Sequence, residues 1–112
     1  WQLTGSSSAN TAQTLTKAAV AVQRHYVTHV TCVVRAAAAV GEIGIAIKDG
    51  DTTVLWTEYI GAAAARGTRV DVDFSGDPIE LTVNTALNVV VDAGGASVIT
   101  TANVKGFSVG VG

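Results

Sequence analysis

The chain has 112 residues, enough for one domain with a buried core, and only 14% of them are charged. Seven basic and nine acidic residues are spread along it, so no basic run can neutralise phosphates, and nucleic-acid binding is not expected. The single cysteine, Cys32, excludes an intramolecular disulfide, and the short apolar runs argue against a membrane segment of about 20 residues.

The residue types favour β-structure and association. Valine (18), threonine (14) and isoleucine (6) far outnumber leucine (5), and β-branched side chains pack well on pleated sheets. Because 48% of the chain is hydrophobic and few charges cover the exterior, we expect neighbouring subunits to cover part of the surface. The composition therefore predicts an all-β domain that forms a homo-oligomer.

The first segment, residues 1–14, carries no charge and shows no sustained period. It is predicted to be an extended or disordered N-terminal arm, either a disordered tail or a strand that orders only against a partner. Residues 15–112 are then the β-sandwich domain. Since the first residue is Trp1 and not methionine, processing of a longer precursor is an open alternative.

From residue 15 onward the apolar residues recur with period two, which is typical of strands. Eight strands are predicted, at about 15–23, 25–36, 42–49, 52–60, 68–74, 78–84, 87–92 and 97–110. In the second, strict alternation places two sets of residues on opposite faces: Tyr26, Thr28, Val30, Cys32 and Val34 on one, and Val27, His29, Thr31, Val33 and Arg35 on the other. The third and fifth strands alternate more cleanly, with Ile43, Ile45 and Ile47, and with Val70, Val72 and Phe74, facing the core.

Turn residues separate these strands. Residues 48–51 (KDGD) contain the Asp-Gly pair of tight hairpins, and residues 92–95 (DAGG) supply glycines for positive φ. Two tetra-alanine runs, 36–39 and 62–65, are too short to nucleate helices and are predicted to be loops. Eight short strands without a helix between them indicate a two-sheet antiparallel sandwich, most simply a jelly roll.

No catalytic, cofactor-binding or metal-binding residue is predicted. His25 and His29 are placed about 13 Å apart on one strand face, too far to share an ion. The serines and Cys32 stand in no nucleophile motif. Acid–base chemistry by Glu58 with Glu42 or Asp73 is left open, but any β-domain offers such accidental carboxylate pairs, and an enzyme is not expected.

One segment matches the opening of a calcium loop. Asp71, Asp73 and Ser75 stand at positions one, three and five, with Gly76 at six. Position twelve is Thr82 instead of a bidentate glutamate, and the flanks are predicted strands. The favoured interpretation is the solvent side of a strand, with calcium binding left open.

Two aromatic residues are predicted on opposite faces of the fourth strand, so that one is in the core and the other is exposed. These are Trp56 and Tyr59. An exposed aromatic side chain stabilises subunit contacts or stacks against sugars. Contact with another subunit is favoured, and sugar binding with loop residues near 62–66 is the alternative.

Three stretches carry a wider resemblance: 25–30 (HYVTHV), 48–56 (KDGDTTVLW) and 103–109 (NVKGFSV). Over about residues 20–110 the chain resembles small jelly-roll structural proteins of tailed-bacteriophage virions. The resemblance implies a non-enzymatic capsid decoration or cement protein, often a trimer on the head lattice. No functional residue is carried over, because no family motif fixes one.

Together, these patterns predict a decoration protein that stabilises the phage head as an oligomer, most simply a trimer. Its partners are then copies of itself and the major capsid protein or another virion subunit, on the capsid exterior after assembly in the host cytoplasm. The alternative is a tail, fibre or carbohydrate-binding module that uses an exposed aromatic residue.

Overall fold

The computed structural model describes residues 1–111, which form nine strands and no helix. The strands are β1 (Gln2–Ser6), β2 (Gln13–Lys17), β3 (Gln23–Arg35), β4 (Ile43–Asp49), β5 (Thr53–Ile60), β6 (Arg69–Asp73), β7 (Ile79–Glu80), β8 (Leu87–Val91) and β9 (Ile99–Gly110). Since the described chain has no helix, it has none that is long and apolar enough to cross a membrane.

The strands form two antiparallel sheets packed face to face. Sheet A has the order β1-β9-β3-β6, with the short β7 also paired to β3, and sheet B has the order β2-β8-β4-β5. With β7 set aside, this is the strand order of an eight-stranded jelly roll. The predicted all-β two-sheet sandwich is confirmed, with nine strands in place of eight.

The core lies between the sheets, where alternate residues of each strand point inward. In β4 the inward side chains are Ile43, Ile45 and Ile47, as their alternation predicts, and in β8 Leu87, Val89 and Val91 lie beside them. Sheet A contributes Val27, Val30, Cys32, Val34, Ala102 and Val104. Branched aliphatic side chains on both inner faces therefore fill the interior.

Strand β3 departs from the predicted alternation. Val27 pairs with Gly106 and His29 with Lys105, so Thr28 is an extra residue, a β-bulge. The bulge reverses the faces of the first half of β3: His25 and Val27 are buried, and Tyr26 points outward. The prediction that one face carries Tyr26 together with Val30 is therefore wrong, as is the prediction that His25 and His29 share a face.

The segment 1–14 contains β1, a turn at residues 9–10 and the start of β2, and its strands pair within the same chain. Gln2 to Ser6 form β1, which runs antiparallel to β9 from Gln2 opposite Lys105 to Ser6 opposite Thr101. The expected boundary at residue 14 falls inside β2. Sequence alternation could not reveal β1, because backbone pairing and one half-buried leucine, Leu3, hold it in the sheet.

The loops agree with the turn residues. Gly50 in the β4–β5 turn and Gly95 before β9 have positive φ, at 73° and 111°. The two tetra-alanine runs form loops that are hydrogen-bonded to each other, with Ala39 N–H donating to Ala64 and Ala63 N–H donating to Ala39, at 2.8 and 2.9 Å. These loops close one end of the sandwich.

Candidate functional site

The outer face of sheet A carries a strip of apolar side chains at the end where β3 begins and β9 finishes. Tyr26 lies opposite Phe107, and the next rows bring Val109 opposite Arg24 and Val111 next to Val22. Val22, Phe107, Val109 and Val111 are 40–61% exposed. We call Val22, Tyr26, Phe107, Val109 and Val111 the apolar strip.

The apolar strip is ordered and electrically neutral. The rings of Tyr26 and Phe107 stack with their centroids 4.8 Å apart and an interplanar angle of 13°. The two charged side chains within its rows, Arg24 and Glu80, form an ion pair with each other at 2.7 Å. Neither the shape nor the charge of this surface opposes contact with another apolar surface.

The β1–β9 ladder reaches Trp1 beside the apolar strip. Gly106 exchanges two hydrogen bonds with Trp1, at 2.9 and 3.1 Å. By the alternation of an antiparallel ladder, the backbone groups of Ser108 and Gly110 point to the same side of β9 as those of Gly106.

The edge strand of sheet B is protected. β5 is eight residues long and uncovered, but Glu58 accepts the outward N–H of Tyr59 at 2.9 Å. A charged side chain that occupies edge donors discourages pairing with a further strand. Pairing of this edge of sheet B with another strand is therefore not expected.

A hydrogen-bond network supports the apolar strip from inside the sandwich. Ser108 Oγ accepts the Trp1 indole N–H at 3.1 Å and is bonded to His25 Nδ1 at 2.6 Å. His25 Nε2 bonds the Ala18 carbonyl at 2.8 Å, which requires that nitrogen to donate. No local sequence pattern predicts this network, because its members come from four separate segments.

Ser108 and His25 have the separation of a nucleophile and its base, but their surroundings are those of a structural pair. The ring of His25 is only 1% exposed and packs edge-on against Trp1 at 6.2 Å between centroids. Neither the cavity beside Tyr59 nor the cavity beside Arg35 is lined by these residues. The pair fixes the N-terminal tryptophan to β3 and β9.

The middle of the outer face is polar. His29 lies 3.3 Å from Asp73, and Thr31 donates to Asp71 at 3.4 Å. Hydrogen bonds from the Ser75 side chain and backbone N–H lower the pKa of Asp73 below its usual value. This polar row separates the apolar strip from the far end of the sheet.

The suggested calcium segment is not arranged as a loop. Asp71 and Asp73 lie within strand β6, and Thr82 at position twelve is hydrogen-bonded to Asp49 instead. Within residues 1–111 no group of three or more His, Cys, Asp or Glu side chains is placed to hold a metal ion. Asp71 and Asp73 therefore lie on the solvent side of a strand, whereas Ser75 and Gly76 form the turn that follows it.

Cys32 lies in the core, and burial raises the pKa of its thiol from 9.0 to about 11. A thiol in this setting stays protonated at neutral pH and is a poor nucleophile.

The aromatic pair of β5 divides as predicted. Trp56 packs inward against Phe74, edge to face at 5.3 Å, and Tyr59 is 56% exposed. Tyr59 stands beside a groove of about 150 Å³ whose floor is formed by Gly44 and Ala46. Lys48 and Asp92 line the same groove, whereas none of residues 62–66 does.

Comparison with protein-family models, with curated proteins and with solved structures finds no match for this chain. A functional assignment therefore depends on the residues and geometry of the chain itself. The apolar strip was missed at the sequence level, although Phe107, Val109 and Val111 do alternate along the chain, because alternation alone does not say which face is buried.

Proposed function

We propose that the protein is a non-enzymatic structural subunit that self-associates through the apolar strip and decorates a larger protein shell. In line with the sequence resemblance, the shell is a phage head, and the oligomer is most simply a trimer. The observation that carries this proposal is the exposed apolar strip on the outer face of sheet A, whose neighbouring Arg24 and Glu80 form an ion pair.

The strip favours a second copy of the chain as its occupant. Exposed apolar side chains gain about 25 cal/mol per Å² when they leave water. The net charge is only −2, so copies repel each other weakly. The Arg24–Glu80 pair keeps the contact region itself neutral. Association of copies therefore meets little electrostatic resistance.

The position of the strip suits a cyclic oligomer. The body is elongated, 47 Å by 25 Å by 20 Å, and the strip lies at the end of its two longest strands. Three copies that meet with these ends at a common axis leave their opposite ends free to contact the lattice. Binding in triplicate makes individually weak contacts effective.

The test is occupancy of phage heads by wild-type protein and by a Phe107→Lys variant, measured by electron microscopy of decorated particles. We expect Phe107→Lys to reduce occupancy by about ten-fold or more, since a charge at the contact abolishes the multivalent attachment. Deleting residues 1–14 is unsuitable, because it removes β1 from sheet A.

Val40→Lys is the matched control, because Val40 is the most exposed valine of the described chain, at 68%, and lies outside the strip. The control should decorate as wild type does. Equal occupancy for all three proteins, or no decoration by the wild type, would contradict the proposal.

A second function, recognition of a saccharide, is favoured by the groove beside Tyr59. A Cβ at Gly44 would lie 2.6 Å from Asp92 Oδ2 and 3.2 Å from Tyr59 Cε1, so the carboxylate and the ring meet over this glycine. An aromatic ring beside an acceptor and a lysine is a set of groups that binds sugar rings.

A glycan array tests this alternative with Tyr59→Ala, and with Trp56→Phe as the control for a neighbouring aromatic side chain. Signal that is lost only in Tyr59→Ala would support sugar recognition. The absence of signal for wild-type protein would exclude it.

A further inference from the structure

A cleft of about 410 Å³ lies at the end of sheet A opposite the apolar strip. It is lined by Ser6, Ser7, Arg35, Ala36, Arg66 and Ile99. Arg35 pairs with Ile99 where β3 finishes and β9 begins, and the Gly67 N–H bonds Val34 at 2.8 Å, which holds the neighbouring Arg66 beside β3. The serines stand on the far side of β9, so the cleft is two strand spacings wide, about 10 Å.

The fold brings together at this cleft basic side chains that are far apart in the sequence. Arg69, opposite Val33 on β6, lies on the same outer face but does not line the cleft, so the cleft charge comes from Arg35 and Arg66. The two ion pairs of residues 1–111 use Arg24 and His29, so none of these three arginines has a carboxylate partner. No acidic residue of the described chain lines the cleft.

The serine side of the cleft offers a donor. Ser7 Oγ accepts the backbone N–H of Thr100 at 2.9 Å and the Thr100 hydroxyl at 3.4 Å. The Thr100 hydroxyl in turn accepts a hydrogen bond from the amide of Gln13 at 2.9 Å. Since Ser7 Oγ accepts in both bonds, its own proton is free to be donated.

We propose that this cleft binds a phosphate or sulfate group, held between the guanidinium groups of Arg35 and Arg66 on one side and the Ser7 hydroxyl on the other. Guanidinium groups bind such oxyanions through paired, charge-assisted hydrogen bonds. Ile99 supplies apolar surface for the part of the ligand next to the anionic group. The site is independent of self-association through the apolar strip.

The size of the cleft limits the ligand to one or two anionic groups. Three arginines at one end of a 47 Å body do not form the continuous track that a nucleic-acid backbone requires. A monoester on a small molecule or a sugar matches the charge and the volume. The chemistry recognised is the tetrahedral oxyanion.

The direct test is a titration of ¹⁵N-labelled full-length protein with inorganic phosphate and, separately, with inorganic sulfate, at constant ionic strength. Backbone amides of Ser7, Arg35, Arg66 and Ile99 should shift together along one saturating curve. In Arg35→Gln and Arg66→Gln the affinity should fall by about ten-fold, because each variant removes a two-donor contact.

Arg69→Gln is the matched control, since it removes the same charge from the same end of the sheet without lining the cleft. Its affinity should change by less than about two-fold. If Arg66→Gln does not fold, Arg66→Lys keeps the charge, loses the planar fork and should still weaken binding. Equal weakening in Arg69→Gln, or shifts scattered over all basic residues, would overturn the proposal and indicate general screening.

Two esters separate the sources of the oxyanion. Glucose 6-phosphate and adenosine 5′-monophosphate are titrated in the same way, and the tighter ligand identifies a sugar or a nucleoside as the attached group. Equal affinity for both and for inorganic phosphate would mean that only the oxyanion is recognised. Failure of phosphate and sulfate to bind would refute the site while leaving the self-association proposal unaffected.

Discussion

The two ends of the outer face of sheet A carry side chains of different kinds, apolar at one end and basic at the other. One end carries the apolar strip and an arginine that is paired with Glu80. The other carries a cleft with two arginines, a third arginine nearby and no acidic lining residue. Between Arg24 and Arg35 the two ends are about 35 Å apart along β3, at 3.3 Å per residue.

The fold therefore separates apolar and basic side chains that are interspersed along the sequence. Three of the four arginines come together because a strand end, a loop and an edge strand meet, although they are up to 34 positions apart in the chain. The β-bulge at Thr28 changes which alternate residues of β3 face outward in the two halves of the strand. This single strand therefore contributes outward side chains to both ends of the sheet. Substitutions at one end of the outer face, or in the core beneath it, should leave the other end unchanged.

The largest expected effect is at Gly106, beneath the apolar strip. A Cβ there would collide with the backbone oxygen of Tyr26 and with the indole ring of Trp1, and the backbone contact leaves no side chain to move away. Gly106→Ala should therefore cost about 3 kcal/mol or more of the free energy of unfolding, measured by chemical denaturation. Gly110→Ala, where nothing lies within 4 Å, should change it by less than about 1 kcal/mol. Similar losses in both variants would show that this end is not closely packed.

The next effect concerns the network under the strip. Ser108→Ala leaves the Trp1 indole N–H and His25 Nδ1 without their shared partner inside the sandwich. The free energy of unfolding should fall by about 1–3 kcal/mol, the usual cost of buried groups left unpaired. Ser8→Ala, in an exposed position, should change it by less than about 0.5 kcal/mol. A Ser108→Ala protein as stable as wild type would mean that the network contributes nothing.

A smaller effect on stability is expected from Cys32, which lies in the half of β3 next to the arginine end. Burial raises the pKa of Cys32 to about 11, so the unfolded thiol loses its proton from about pH 9 while the folded thiol keeps it. Stability relative to Cys32→Ala should be constant below pH 9 and fall by about 1–2 kcal/mol as the pH rises toward 11. Parallel pH profiles for the two proteins would show that the thiol is not held in the core.

The sequence predicts those parts of the fold in which one face of a strand is covered by the other sheet. In β4 and β6 the alternation of Ile43, Ile45 and Ile47, and of Val70, Val72 and Phe74, gives the correct inward faces, because covered sheet faces impose a strict period of two. The turn at Gly50 follows from the Asp-Gly pair in the same way.

The sequence does not predict those features of the fold that depend on strand pairing and have no alternation of apolar and polar residues. The bulge at Thr28 changes the phase of β3 without a glycine or proline to mark it, and so misplaces Tyr26 and His25. Strand β1 is held by backbone bonds to β9 that leave no apolar period. The arginine cleft joins residues that only the topology brings together, so local spacing contains no signal for it.

The most direct test of self-association through the apolar strip is sedimentation equilibrium of the purified protein from dilute to concentrated solution. The wild-type protein should be oligomeric, most simply a trimer. Phe107→Lys should be monomeric, whereas Val40→Lys should assemble as the wild type does. A wild-type chain that remains monomeric at the highest concentration, or a Phe107→Lys oligomer as stable as that of the wild type, would contradict self-association through the strip.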